Sequence, residues 1–239
     1  MLINMEEMLK VADKNQFAVG AFNATESSLF RAVVEEAEAQ NAPAIVQVAP
    51  GEFDFATRDF YQYVRARLSN SKVPFVLHLD HGKTIQQCMK AIQAGFTSVM
   101  LDGSELPYEE NVRLTKEVTD LAHMVGVSVE GEIGTIGVMS NSDEGGVENV
   151  TYTNPEDVID FVTKTGVDCL AIAIGTAHGI YPKGFVPKLQ LELLERIKEV
   201  APVPLVFTGS NNPDEIRKHA RLESESEYFQ VIYAFFEGR

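Results

Sequence analysis

His81 and His178 stand far apart in the chain, yet each sits beside groups that can hold a metal or move a proton. His78, Asp80 and His81 cluster in VLHLDHG, Asp102 closes SVMLD, Glu130 and Glu132 alternate in VEGEIG, and His178 ends AIGTAH. Imidazole nitrogens and carboxylate oxygens are the ordinary ligands of Zn²⁺. A carboxylate next to such an ion is placed to exchange a proton with a polarised hydroxyl. Taken singly, each histidine reads as a hydrogen-bonded structural group. Their recurrence at the ends of apolar runs, together with Asn23, Thr208 and Ser210 in the same position of other runs, points to a site.

The elements that must position these residues alternate in type. Short apolar runs predict strands at 18–24, 44–49, 73–80, 98–103, 128–134, 168–179 and 204–210, with helical periodicity following them. Leu29, Val33 and Ala37 mark a helix over 27–40, Ile85, Cys88, Met89 and Ile92 share one helical face, and a longer helix over 108–125 ends at Gly126. Asn154-Pro155-Glu156 has the form of a helix start, and 189–200 reads as a further helix. Near-continuous apolar strands alternating with helices imply a parallel sheet covered by helices. No Gly-x-Gly-x-x-Gly follows the first strand, which argues against a dinucleotide-binding sheet and for a (β/α)8 TIM barrel. After Pro213 the pattern degrades, and only QVIYAFF at 230–236 is apolar enough for an eighth element, so the eighth unit is expected to be altered or incomplete. The whole chain, 1–239, reads as a single barrel domain, with the polar, acidic 137–153 as a mobile active-site loop. Alternation along the third strand puts His78 and Asp80 on one face and leaves His81 to open the following loop.

Composition narrows the function classes. The 239 residues are 45% hydrophobic and 23% charged, which excludes disorder and fibrous architectures. A net charge of −15, spread along the chain, disfavours nucleic acid and anionic membrane surfaces as partners. A phosphate ligand would then need backbone N–H groups, a metal or placed Lys and Arg. Cys88 and Cys169 are too few for a disulfide framework and read as buried core thiols. No apolar run approaches about 18 residues and the first residues lack the pattern of a secretion signal, so the expected location is cytoplasmic.

The segments HLDHG at 78–82, EGEIG at 130–134 and AIGTAHG at 173–179, with AFN at 21–23, AP at 42–43 and NNPDEI at 211–216, resemble the class II metal-dependent ketose-bisphosphate aldolases. The resemblance runs to about residue 216. It implies that Asp80 is the catalytic acid/base and that His81 and His178 are two of three zinc-ligand histidines. It implies that Asp102 and Glu132 are carboxylates near the metal or at an alternative metal position. Asn23, Gly179, Gly209 and Ser210 match substrate-binding positions, the last two in a phosphate-binding turn. Asp143 and Glu144 fall where the family carries a mobile carboxylate, although the local match is poor. A zinc ion, a monovalent cation, sugar-bisphosphate and triose-phosphate ligands, and a homodimer or homotetramer are further implications. The physics is coherent with that chemistry, because carbon–carbon cleavage leaves negative charge that a Lewis acid stabilises without a Schiff-base lysine. Lys83 then reads as a solvated residue at a helix start.

Two departures stand out. The family's third zinc ligand is a histidine at the end of the seventh strand, and this chain has Thr208 in LVFTGSNN, which leaves the third ligand unknown. Downstream phosphate-binding segments are not identifiable, and His219 lies in a charged stretch. Two expectations follow. The first is an aldolase cleaving fructose or tagatose 1,6-bisphosphate to dihydroxyacetone phosphate and glyceraldehyde 3-phosphate. The second is a catalytically impaired barrel homologue acting as a binding or partner subunit.

Overall fold

A computed structural model describes residues 1–15, 17–138, 150–178, 189–208 and 231–234. Its elements in chain order are α1 (Met5–Lys14), β1 (Val19–Asn23), α2 (Ser27–Gln40), β2 (Ala44–Val48), α3 (Pro50–Ser69), β3 (Phe75–Gly82), α4 (Ile85–Ala94), β4 (Ser98–Leu101) and α5 (Tyr108–His123). There follow β5 (Ser128–Ile133), β6 (Gly137–Val138), α6 (Pro155–Thr165), β7 (Cys169–Ile172), β8 (Ala177–His178), α7 (Leu191–Val200), β9 (Leu205–Thr208) and β10 (Val231–Ala234).

Eight parallel strands close into a barrel in the order β1-β10-β9-β7-β5-β4-β3-β2. The short strands β6 and β8 pair separately, Gly137 with Ala177 and Val138 with His178. The eighth barrel strand is β10, which bridges β9 and β1, and the unit leading to it lies outside the described residues. One expectation is revised locally. The run over 168–179 is not one strand: β7 ends at Ile172, Gly175 turns at φ 118°, and the chain re-enters extended structure as β8. The interval 137–153 opens in β6, and residues 139–149 lie outside the described residues.

Strands β2, β3, β4, β5 and β7 are buried on both faces, which is why their sequences read as near-continuous apolar runs. Outward residues such as Val46, Leu77, Val99, Val129 and Ile172 pack under the helices with Phe30, Tyr61, Val118, Phe161 and Leu194. Inward residues Val19, Ala21, Ile45, Val76, Met100, Cys169, Ala171 and Val206 fill the lower barrel. Helix α1 closes that end with Met5, Met8, Leu9 and Ala12. It is fixed there by the Asn4 cap on the Glu7 N–H and by the Glu6 N–H donating to Ser128 Oγ. The predicted helix start at residue 154 is confirmed, with Asn154 capping α6 and Pro155 at its first position.

Candidate active site

The polar residues predicted at strand ends meet at the C-terminal mouth of the barrel, where enzymes of this architecture carry their chemistry. Asn23 ends β1, Gln47 lies near the end of β2, Asp80 and His81 end β3, Asp102 follows β4, and Glu132 is on β5. His178 comes from β8, beyond the barrel strand β7. All are buried.

Strand β3 explains how two consecutive residues serve one site. Its register with β4 shifts between Leu79 and Gly82, and His81 adopts the left-handed region at φ 49°. This bulge undoes the alternation that would send His81 away from Asp80. A left-handed conformation costs a non-glycine residue on the order of 1 kcal/mol, a strain that clusters at functional positions. The next residue must be small, because a Cβ on Gly82 would lie 2.6 Å from the Met100 carbonyl oxygen.

Gln47 Nε2 donates to Asp80 Oδ2 at 2.8 Å and to Asn23 Oδ1 at 2.7 Å, fixing the carboxylate from below. Asp80 Oδ1 lies 3.8 Å from His81 Nε2. His81 Nδ1 donates to Asp102 Oδ2 at 2.9 Å, and its ring meets the His178 ring edge-on with centroids 4.8 Å apart. Asp102 also accepts from the Ser104 N–H and hydroxyl and from Lys83 Nζ, the last at 2.6 Å. Glu132 is held from behind by Asn111 Nδ2, which donates to its main-chain oxygen at 2.8 Å. Thr153 ties the upper ends of β5 and β7 together, donating from its hydroxyl to the Ile133 carbonyl and accepting from the Ala173 N–H.

The charges interlock. Burial disfavours imidazolium at His81, but Asp80, Asp102 and Glu132 around it hold its pKa well above the usual value. Burial alone would raise Asp102; the His81 hydrogen bond and the His81 and Lys83 charges hold it well below the ordinary carboxylate range. Glu132 is pushed up to about 8 by burial and by the Asp102 charge. One layer below, His78 is lowered to about 3 by burial and the His81 charge, so it is neutral, with Nδ1 bonded to Ser98 Oγ. Its Nε2 lies 3.5 Å from Glu130 Oε2.

His81 and Glu132 offer a divalent cation an imidazole nitrogen and an unpartnered carboxylate oxygen, with Asp102 beside them already hydrogen-bonded. One ligand atom from each of His81, Asp102 and Glu132 lies within 4.8 Å of the others, and Glu132 Oε2 has no hydrogen-bond partner among the described residues although it is buried. Carboxylates crowded together out of water are stabilised by a bound cation, which also supplies the missing partner. Thr208 ends β9, and its side chain lies outside what is described, as do Gly179, Gly209, Ser210, Asp143, Glu144 and His219.

Two site residues escaped the sequence reading. Gln47 carried a signal, since it is the one polar position inside the apolar strand AIVQV and alternates with inward Ile45. Lys83 is exposed just before α4, as expected, and its ammonium in addition bridges Asp102 and Glu105.

Comparison with known proteins agrees with the geometry. The family model for fructose-bisphosphate aldolase class-II matches residues 3–223. The fructose-bisphosphate aldolase of Geobacillus stearothermophilus is 40% identical over 212 residues, spanning 87% of this chain and 72% of that protein. The fructose-bisphosphate aldolase of Staphylococcus aureus strain Mu50 is 40% identical over 213 residues, spanning 87% of this chain and 73% of its own length. Among crystal structures, the YdjI aldolase from Escherichia coli K12 superposes with TM-score 0.81 at 29% identity, covering 98% of this chain and 82% of that one. Fructose-bisphosphate aldolase from Campylobacter jejuni shares the fold, with TM-score 0.77 at 23% identity over 98% of this chain and 76% of that one. With 221 consecutive positions spanned by the family model and the HLDHG, EGEIG and AIGTAH segments converging on one barrel mouth, the chain belongs to the class-II fructose-bisphosphate aldolase family, a family of carbon–carbon lyases.

Proposed function

We propose that this chain cleaves a ketose 1,6-bisphosphate, fructose or tagatose, to dihydroxyacetone phosphate and glyceraldehyde 3-phosphate, with Asp80 as the catalytic acid/base. The observation that carries the reading is the convergence of Asp80, His81, Glu132 and His178 in one buried cluster at the barrel mouth.

In the cleavage direction, Asp80 takes the proton of the hydroxyl on the aldehyde-forming carbon as the carbon–carbon bond breaks. The hydroxyl oxygen becomes the aldehyde carbonyl, and the electron pair of the broken bond remains on the dihydroxyacetone phosphate half. A proton delivered to that carbon completes the second product, and the expected source is Asp143 or Glu144 in the proposed mobile segment 137–153. Gln47 orients Asp80 through Oδ2 and links it to Asn23, expected near the substrate carbons. His81, His178 and Glu132 would hold the metal ion, with Glu132 taking the place left by Thr208. Bound there, a divalent cation such as zinc supplies a Lewis acid that stabilises the charge developing on the ketose half. Gly179, Gly209 and Ser210 are the expected phosphate and substrate contacts. The homo-oligomeric state and the cytoplasmic location go with the reading by resemblance.

The test is retro-aldol turnover of both bisphosphates, with and without added Zn²⁺, alongside the metal content of protein purified without chelator. Zinc-dependent turnover of either bisphosphate is the expected result. A chain that binds zinc and turns over neither substrate would overturn it.

A further inference from the structure

Asp102 and Glu132 approach one another and His81 closely enough that one ligand atom from each lies within 4.8 Å of the rest. Two carboxylates so placed could share a second cation beside the one held by the histidines. What each carboxylate touches is different. Glu132 Oε2 has no hydrogen-bond partner among the described residues. Both oxygens of Asp102 are occupied: Oδ2 accepts from His81 Nδ1 at 2.9 Å and Lys83 Nζ at 2.6 Å, and Oδ1 accepts from the Ser104 N–H at 3.1 Å and the Ser104 hydroxyl at 2.6 Å. A carboxylate offers about four lone-pair directions, so these four donors leave no acceptor site over.

The ammonium is held in place from its own side. The Lys83 N–H donates to Gln87 Oε1 at 2.8 Å, next to the capping box that Thr84 and Gln87 form at the start of α4. Glu105 Oε1 lies 3.4 Å from Nζ. A dication binding Asp102 would have to expel this ammonium or sit against it, and like charges a few ångströms apart in a partly desolvated site repel strongly.

We propose that Lys83 is the resident cation of Asp102: it keeps that carboxylate as the group that orients His81 and limits the site to one divalent ion. The inference rests on the ion reading of the preceding section. It makes Lys83 a positioning residue, one that touches neither substrate nor the reacting atoms.

The test counts metal. Wild-type protein, K83M and K83R are loaded with Co²⁺ near neutral pH, dialysed against metal-free buffer, and assayed for cobalt per chain. The Lys83 side chain is 42% exposed, so both variants should fold. One ion on the wild type and on K83R, with a second retained by K83M, is the expected result. Two ions on the wild type, or one on K83M, would overturn the role of Lys83 and leave the ion reading standing. No ion on any of the three would overturn both.

Discussion

The two ends of the barrel interior are made by the same strands with opposite chemistry. At the N-terminal end Val19, Ile45, Val76, Cys169 and Val206 meet the apolar face of α1. At the C-terminal end Asn23, Gln47, Asp80, Asp102 and Glu132 face inward and are equally buried. Strand β3 makes the change within one element, from Val76 through neutral His78 to Asp80. The lower end stabilises, since burying a side chain such as Leu9 contributes about 1.5–3 kcal/mol. The upper end is costly in the absence of an ion, because buried like charges and a strained His81 gain nothing from packing. Stability and chemistry are thus divided along the barrel axis.

The sharpest way to test this division is Asp80→Ala. Turnover should fall by roughly 10²–10⁴-fold, the usual contribution of a general acid/base, while thermal stability and zinc content stay near wild type. A large loss of stability instead would mean that the upper end carries the fold. At the other end, Leu9→Ala should lower stability by about 2–5 kcal/mol in denaturant titration and leave kcat of the folded protein unchanged; a kcat effect would break the separation.

Glu132→Gln probes the cost of the upper end through pH. Because the folded-state pKa is raised from 4.5 to about 8, the folded protein holds this proton more tightly than the unfolded chain. Its contribution to stability is therefore lost as pH rises from 4.5 to 8. The metal-free variant should match the wild type near pH 4.5 and become progressively more stable than it up to pH 8. Parallel melting curves across that range would show that Glu132 is not strained in the folded state. The smallest effect is expected at Asn4→Ala, which removes the α1 cap and should cost about 1 kcal/mol with no change in metal affinity.

Much of this was legible in the sequence because the two periodicities are strong. Helix α2 spans the residues that the spacing of Leu29, Val33 and Ala37 predicts, and alternation correctly places His78 and Asp80 on β3 and Glu130 and Glu132 on β5, with His81 the exception. Helix α3 was harder to read. It opens on Pro50-Gly51, breaks at Thr57 with φ 63°, and buries Tyr61, Val64 and Leu68 only in its second half, so no apolar face runs its length. Helix α1 was missed for another reason: its methionines and Leu9 have no partner in sequence and are apolar toward a barrel end that exists only once the sheet closes.

Residue types and their order determined the barrel class, the family and the identity of the groups that do chemistry, since side-chain chemistry and local periodicity belong to each segment by itself. Tertiary structure alone decided the rest. The bulge that turns His81 back beside Asp80 depends on β3 pairing with β4. The contact of His81 with His178 depends on strands distant in the chain being brought to one mouth. Lys83, still exposed, becomes a partner of Asp102 for the same reason: its ammonium meets a neighbour across the sheet, and no window of sequence contains that neighbour.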